Sequence, residues 1–119
     1  TISVDGSRVL TASADKTAKL WSTASGRCKN TYAGHSHVVP SAKFSADESY
    51  VLTASWDATS KIWDVVSGSC LLTFRGHSGH VNSAVYSPDG LSVLTASDDL
   101  TIRLWQAADG NCIRTFRGH

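Results

Sequence analysis

The chain has 119 residues and a mass of 12.7 kDa; 41% of its residues are hydrophobic, 18% are charged, and the net charge is +1 at neutral pH. That near-neutral balance offers no electrostatic footprint for nucleic acid or anionic lipid, and the length suits one ordinary globular domain. No apolar run approaches the roughly 18 residues that would cross a bilayer, and no basic-then-apolar leader opens the chain.

Taken in order, the sequence repeats itself every 42 residues. Trp21, Trp63 and Trp105 hold the spacing, and so do Gly26, Gly68 and Gly110, Cys28, Cys70 and Cys112, and His35, His77 and His119. A fixed period of this kind marks one supersecondary unit used several times. Residues 1–33 form an incomplete copy whose first strand is mostly missing. Residues 34–75 and 76–117 are complete copies, and 118–119 open a further one.

Each complete copy reads as four strands. The first is Val39–Ser45 or Val81–Ser87, the second Tyr50–Ser55 or Ser92–Ser97, the third Ser60–Trp63 or Ile102–Trp105, and the fourth Cys70–Phe74 or Cys112–Phe116. In the turn Ser87-Pro88-Asp89-Gly90, proline presets φ and glycine tolerates a left-handed backbone. Ala46 and Glu48 stand where the second copy would have that proline and glycine, so a looser turn is expected there. No stretch has both the periodicity and the length of a helix. Short strands at even spacing predict an all-β chain with one four-stranded antiparallel sheet per period, the unit of a propeller blade.

Gly-His opens each copy, Ser-Pro-Asp-Gly follows the first strand of the third, and Trp63-Asp64 closes the third strand of the second. On these motifs the chain resembles the WD-repeat β-propeller family over its whole length. Ser22 and Gln106 depart from the Trp-Asp pair in the other two copies. The resemblance implies a non-catalytic scaffold for protein–protein interaction. It would bind peptides or proteins on the face carrying the loops between second and third strands and between one copy and the next. An alternative is a regulatory or targeting propeller fused to a catalytic domain outside this segment.

Each complete copy also carries His, Ser, Asp and Trp at matched offsets: His35, Ser55, Asp57 and Trp63, then His77, Ser97, Asp99 and Trp105. A nucleophilic triad would use three of these types. Hydrogen-bond capacity argues for a structural role instead. Indole only donates, carboxylate only accepts, and hydroxyl and neutral imidazole do both, so a chain from Trp through Ser and His to Asp satisfies every member. An active site is normally singular, whereas this set recurs. The WD-repeat family is known for such a tetrad, and the resemblance assigns these residues to it. The first copy has Ser13, Asp15 and Trp21 but no His, while His119 has no partners of its own. This incomplete tetrad is expected to be filled by further sequence or by another copy of the chain.

Loop positions that break the repeat are the expected partner contacts: Trp56 and Asp98 in the turns before the third strands, and His37, Val38, Pro40, His80 and Asn82 around the start of the first strands. Trp56 is the sharpest, being the one Trp outside the 42-residue register, and exposed Trp is enriched among interface anchors. Its other reading is a ring lying over a neighbouring loop, for instance on Pro40. The three cysteines are expected to be reduced, half-buried packing residues, which points to an intracellular (cytoplasmic or nuclear) protein. No metal or cofactor spacing occurs.

Propellers close radially. Val39, Phe44, Val51, Leu52 and Ile62, with their counterparts Val81, Tyr86, Val93, Leu94 and Leu104, would leave apolar faces open at the ends of a short arc. The chain is therefore expected to be a piece of a longer propeller. The second reading is two copies closing one ring, and an isolated arc comes last. Partners are thus proteins or peptides, plus the remaining blades or a second copy; neither nucleic acid nor membrane is expected.

Overall fold

The structure, a computed structural model, describes residues 1–118. Among them are eleven strands and no helix. The first sheet holds β1 (Arg8–Ala12), β2 (Thr17–Ser22) and β3 (Cys28–Ala33) in that order. The second holds β4 (Ser41–Phe44), β5 (Tyr50–Ala54), β6 (Ser60–Asp64) and β7 (Cys70–Phe74), and the third β8 (Val81–Tyr86), β9 (Ser92–Ser97), β10 (Thr101–Gln106) and β11 (Cys112–Arg117). All pairings are antiparallel between consecutive strands. Each sheet is thus a meander of the kind that makes a propeller blade.

β4 starts two residues later than the sequence pattern suggests. The Val39 amide bonds to the Ser13 carbonyl of the preceding sheet at 3.0 Å, and Pro40 has no N–H to give a ladder. Val81 makes the same inter-sheet bond to Ser55, also at 3.0 Å. In the first sheet Ile2 forms a lone bridge with Val9, and Thr1 and Leu10 exchange two bonds of 2.8 Å.

The expected looseness at Ala46–Glu48 is not found. Glu48 N reaches Ser45 O at 2.9 Å, the same distance as Gly90 N to Ser87 O. The Asp47 carboxylate accepts from the Ser49 amide and from the Ser45 and Ser49 hydroxyls, which braces the turn from inside. Glu48 takes φ 60, a conformation glycine adopts more cheaply.

Two apolar layers hold the sheets together. Leu10, Ala18, Leu20 and Tyr32 of the first sheet meet Val51, Trp63 and Val65 of the second. One period later, Leu52, Ala54, Ile62 and Phe74 meet Val81, Ala84, Val93 and Trp105. Because β5 contributes to both layers, Val51 through Ala54 are all buried, which explains its near-continuous apolar run. The outer face of the third sheet has no such neighbour. Leu94 is 38% exposed and Phe116 46%, whereas their counterparts Leu52 and Phe74 are at 0% and 1%.

The cysteines differ from expectation: Cys28, Cys70 and Cys112 are free but exposed, not half-buried. Each sits where a register shift breaks the pairing opposite Trp21, Trp63 or Trp105, and that irregularity turns it outward.

Candidate functional site

Two polar constellations stand out, one repeated inside the second and third sheets and one on the loops. The inner one begins at Trp63, whose indole N–H donates to Thr53 Oγ1 at 2.9 Å. Thr53 Oγ1 lies 2.7 Å from His35 Nε2, and His35 Nδ1 lies 2.8 Å from Asp57 Oδ2. The third sheet repeats this through Trp105, Thr95, His77 and Asp99 at 2.8, 2.7 and 2.8 Å. The satisfied direction has Nδ1–H donating to the carboxylate and the Thr hydroxyl donating to Nε2.

The hydroxyl in each chain is therefore Thr53 or Thr95, and the assignment of Ser55 and Ser97 is corrected. Ser55 Oγ accepts from the Asp57 amide at 3.1 Å and donates to Val38 O at 3.0 Å. Ser97 Oγ and Ser13 Oγ likewise accept from the amides of Asp99 and Asp15. Register explains the difference. Trp63 pairs with Val51 and Lys61 with Thr53, so the indole reaches the diagonal neighbour Thr53. Ser55 lies beyond the end of β5, a further ~7 Å along the chain direction.

In the first sheet Trp21 donates to Thr11 at 2.9 Å, and Asp15 bonds to Thr17 and faces Lys19. His119 lies outside the described residues.

Burial outweighs the pull of the neighbouring carboxylate and pushes the pKa of His35 and His77 below the usual 6.5. Burial also opposes the charge on Asp57, but hydrogen bonds from Thr59, His35 and the Ser36 amide outweigh it and bring its pKa down to about 2. The corresponding bonds from Thr101, His77 and the Ser78 amide overcome burial at Asp99 and hold it well below the carboxylate range. Neutral imidazole against ionised carboxylate is a stable, satisfied arrangement. Thr53 is at 0% exposure and Thr95 at 1%, so neither hydroxyl meets solvent or substrate. The Gly-His pair has a packing reason as well, since a Cβ on Gly34 would stand 3.1 Å from the Trp63 ring.

The outer constellation gathers five of the seven loop residues. Trp56 N bonds to Val38 O at 2.9 Å, pinning the turn between β5 and β6, and Asp98 N bonds to His80 O in the same way. The Trp56 and His80 rings stack with centroids 4.7 Å apart and planes 8° from parallel. His37 leans against both at 5.8 and 5.7 Å. Trp56 Nε1 donates to Asn82 Oδ1 at 3.2 Å, Asn82 Nδ2 donates to Asp98 Oδ1 at 2.6 Å, and Asp98 Oδ2 faces His80 Nδ1 at 3.5 Å. Val38 takes part through its main chain. Pro40 lines the groove along β1, and the Trp56 ring is stacked on His80.

Among the described residues no three His, Cys, Asp or Glu side chains converge as a metal ion would require. No helix is long and apolar enough to cross a membrane, a statement that does not extend to β-barrels.

Three antiparallel meanders stacked face to face, each braced by the same indole-to-hydroxyl bond, define blades of a WD-repeat propeller. The family profile "WD domain, G-beta repeat" matches residues 1–22, 26–64 and 68–106, and the chain belongs to that family. WD-repeat domains serve generally as protein-interaction scaffolds. A stretch of 34 residues is 56% identical to the Lissencephaly-1 homolog of Heterostelium pallidum. The match spans 29% of this chain and 8% of that relative's length.

Proposed function

We propose that this chain is a non-catalytic scaffold that binds a peptide or protein segment on its loop face, with Trp56 as the anchor. The observation that carries the reading is the ordered exposure of Trp56. Trp56 is 36% exposed, yet its ring is fixed by the His80 stack and the Asn82 bond. A large aromatic surface already held in one position loses little side-chain freedom on binding, which favours it as an interface anchor. His37 and His80 extend the flat surface, and the exposed Asp98 carboxylate marks its edge. The non-catalytic part of the reading is supported by the repetition of the Trp–Thr–His–Asp chain and by the enclosure of its hydroxyls. Further blades, or a second copy of the chain, would cover the open face at Leu94 and Phe116.

The test starts from peptides selected against the chain from a displayed library. Replacing Trp56 with Ala should weaken the selected peptides by more than about fivefold, equivalent to about 1 kcal/mol, and leave the melting temperature nearly unchanged. Peptides that bind the variant as tightly as the native chain would place the interaction elsewhere. A large fall in melting temperature would make Trp56 a packing residue.

A further inference from the structure

The two inter-sheet layers end differently at the edge opposite Trp56, where β4 turns into β5 and β6 into β7. Connections of an antiparallel meander alternate between its two edges, so this is the far side of each blade from the loop cluster. Between the first and second sheets the crevice around Val65 is filled at this edge, while the groove along β1 and β4 stays open beside it. The Arg8 guanidinium pairs with Glu48 at 3.2 Å and covers the Phe44 ring at 5.3 Å. The Asn30 amide donates to the carbonyls of Val65 and Val66 at 3.0 and 3.1 Å, and the Tyr32 hydroxyl donates to Val65 at 3.0 Å.

One period later each of these devices is lost. Tyr50 stands for Arg8, Gly90 for Glu48, Leu72 for Asn30, Phe74 for Tyr32 and Ala107 for Val65. What remains is an open crevice of about 460 Å³, lined by Ile62, Leu71, Leu72, Tyr86, Leu91 and Ala107 and by no charged side chain. Neither Leu72 nor Phe74 has a side-chain donor to give to the carbonyls of Ala107 and Ala108. Leu91 is 68% exposed and Leu71 51% at the rim. Tyr86 replaces Phe44, and its hydroxyl is buried with no hydrogen-bond partner among the described residues. Leaving such a group unpaired is costly in the free protein, and a main-chain carbonyl of a bound segment would accept from it.

We infer that this crevice between the second and third sheets receives an apolar side chain from an extended segment of a partner protein, whose main-chain N–H donates to the Ala107 or Ala108 carbonyl as Asn30 does one blade earlier. An uncharged lining excludes an acidic or basic side chain, which would lose its hydration without gaining a counter-ion. Among the described residues no side chain donates to the Ala107 or Ala108 carbonyl as Asn30 does to Val65 and Val66, so an occupant carrying an N–H, as a peptide main chain does, fits what a simple apolar ligand would leave unpaired. The site is separate from the loop cluster and does not rest on that assignment.

The probes are two capped tripeptides, acetyl-Gly-Leu-Gly-amide and acetyl-Gly-Asp-Gly-amide, titrated into the ¹⁵N-labelled 119-residue chain. The leucine peptide should shift the amide signals of Leu91, Ala107 and Ala108 saturably, and the aspartate peptide should not. Two variants graft the chain's own plug into the crevice: Leu72→Asn with Ala107→Val, and Tyr50→Arg with Gly90→Glu. The second pair keeps its turn accessible, because Glu48 already adopts at φ 60 the conformation Gly90 holds at φ 73. Either folded graft should cut leucine-peptide affinity by about fivefold or more. Absent shifts, equal shifts with both peptides, or shifts that survive the grafts would overturn the proposal. So would isopentanol binding as well as the peptide, which would mark a small-molecule cavity. Line broadening that grows with protein concentration and disappears in the grafts would identify a second copy as the occupant, with the same consequence.

Discussion

The hydroxyl of Thr53, like that of Thr95 one period later, is the hinge of its inner network, since it accepts from the indole N–H and donates to imidazole Nε2. Removing it while keeping its shape leaves the Trp63 N–H and His35 Nε2 buried and unpaired. Thr53→Val should therefore cost about 1–3 kcal/mol, read as a lower midpoint in chemical denaturation. Thr53→Ser, which retains the hydroxyl, should recover most of that loss. Equal destabilisation by both would mean that the methyl group, not the hydrogen bond, matters here. The sequence showed Thr and Ser recurring together on one face of the same strand, at 53 and 55, so periodicity could not choose between them. What decides is register, Trp63 standing opposite Val51, and register follows from pairing that a single strand's pattern does not reveal.

At the level of the element, the networks tie three segments: the loop before the first strand through His35, the strand β5 through Thr53, and the turn before β6 through Asp57. Their protonation makes the tie sensitive to acid. His35 and His77 have folded pKa values below 6.5, so the unfolded chain takes up protons first as pH falls through that value. Their contribution is complete above 6.5 and declines below it. Asp57, lowered from 3.8 to about 2, adds a second loss as pH falls below its unfolded value. The thermal midpoint should thus be level from about pH 8 to about pH 7, fall by about pH 5, and fall again below about pH 4. A midpoint unchanged between neutral pH and about pH 5 would contradict the burial of these rings. The strands themselves were legible from alternation and turn residues. The Ala46–Glu48 turn was misread because Asp47, already visible as a turn residue, braces it from within.

Across the whole molecule, what repeats holds the sheets and what breaks the repeat shapes the surface. Trp56 and its histidines were visible in sequence as departures from the 42-residue pattern. Their mutual stacking was not, because it joins loops of two different blades. The crevice at Tyr86 is not legible in the sequence for a related reason: its character depends on five substitutions spread over two strands and two loops. The open face of the third sheet was foreseen from the periodicity. Leu94→Lys on that face should change monomer stability by less than about 0.5 kcal/mol, the range of an ordinary surface substitution. The same change at its buried counterpart Leu52 should unfold the chain, and sedimentation should show Leu94→Lys less associated than the native chain. Equal stability losses at both positions would mean the third sheet is covered within one molecule.

The most direct test of the division between scaffold and surface is hydrogen exchange at the four tryptophan indoles. Trp63 and Trp105 donate to buried Thr hydroxyls, Trp21 to the exposed Thr11, and Trp56 to the exposed Asn82. The indole protons of Trp63 and Trp105 should exchange only through opening of their blades, orders of magnitude more slowly than those of Trp56 and Trp21. Four indoles exchanging at one common rate would contradict it.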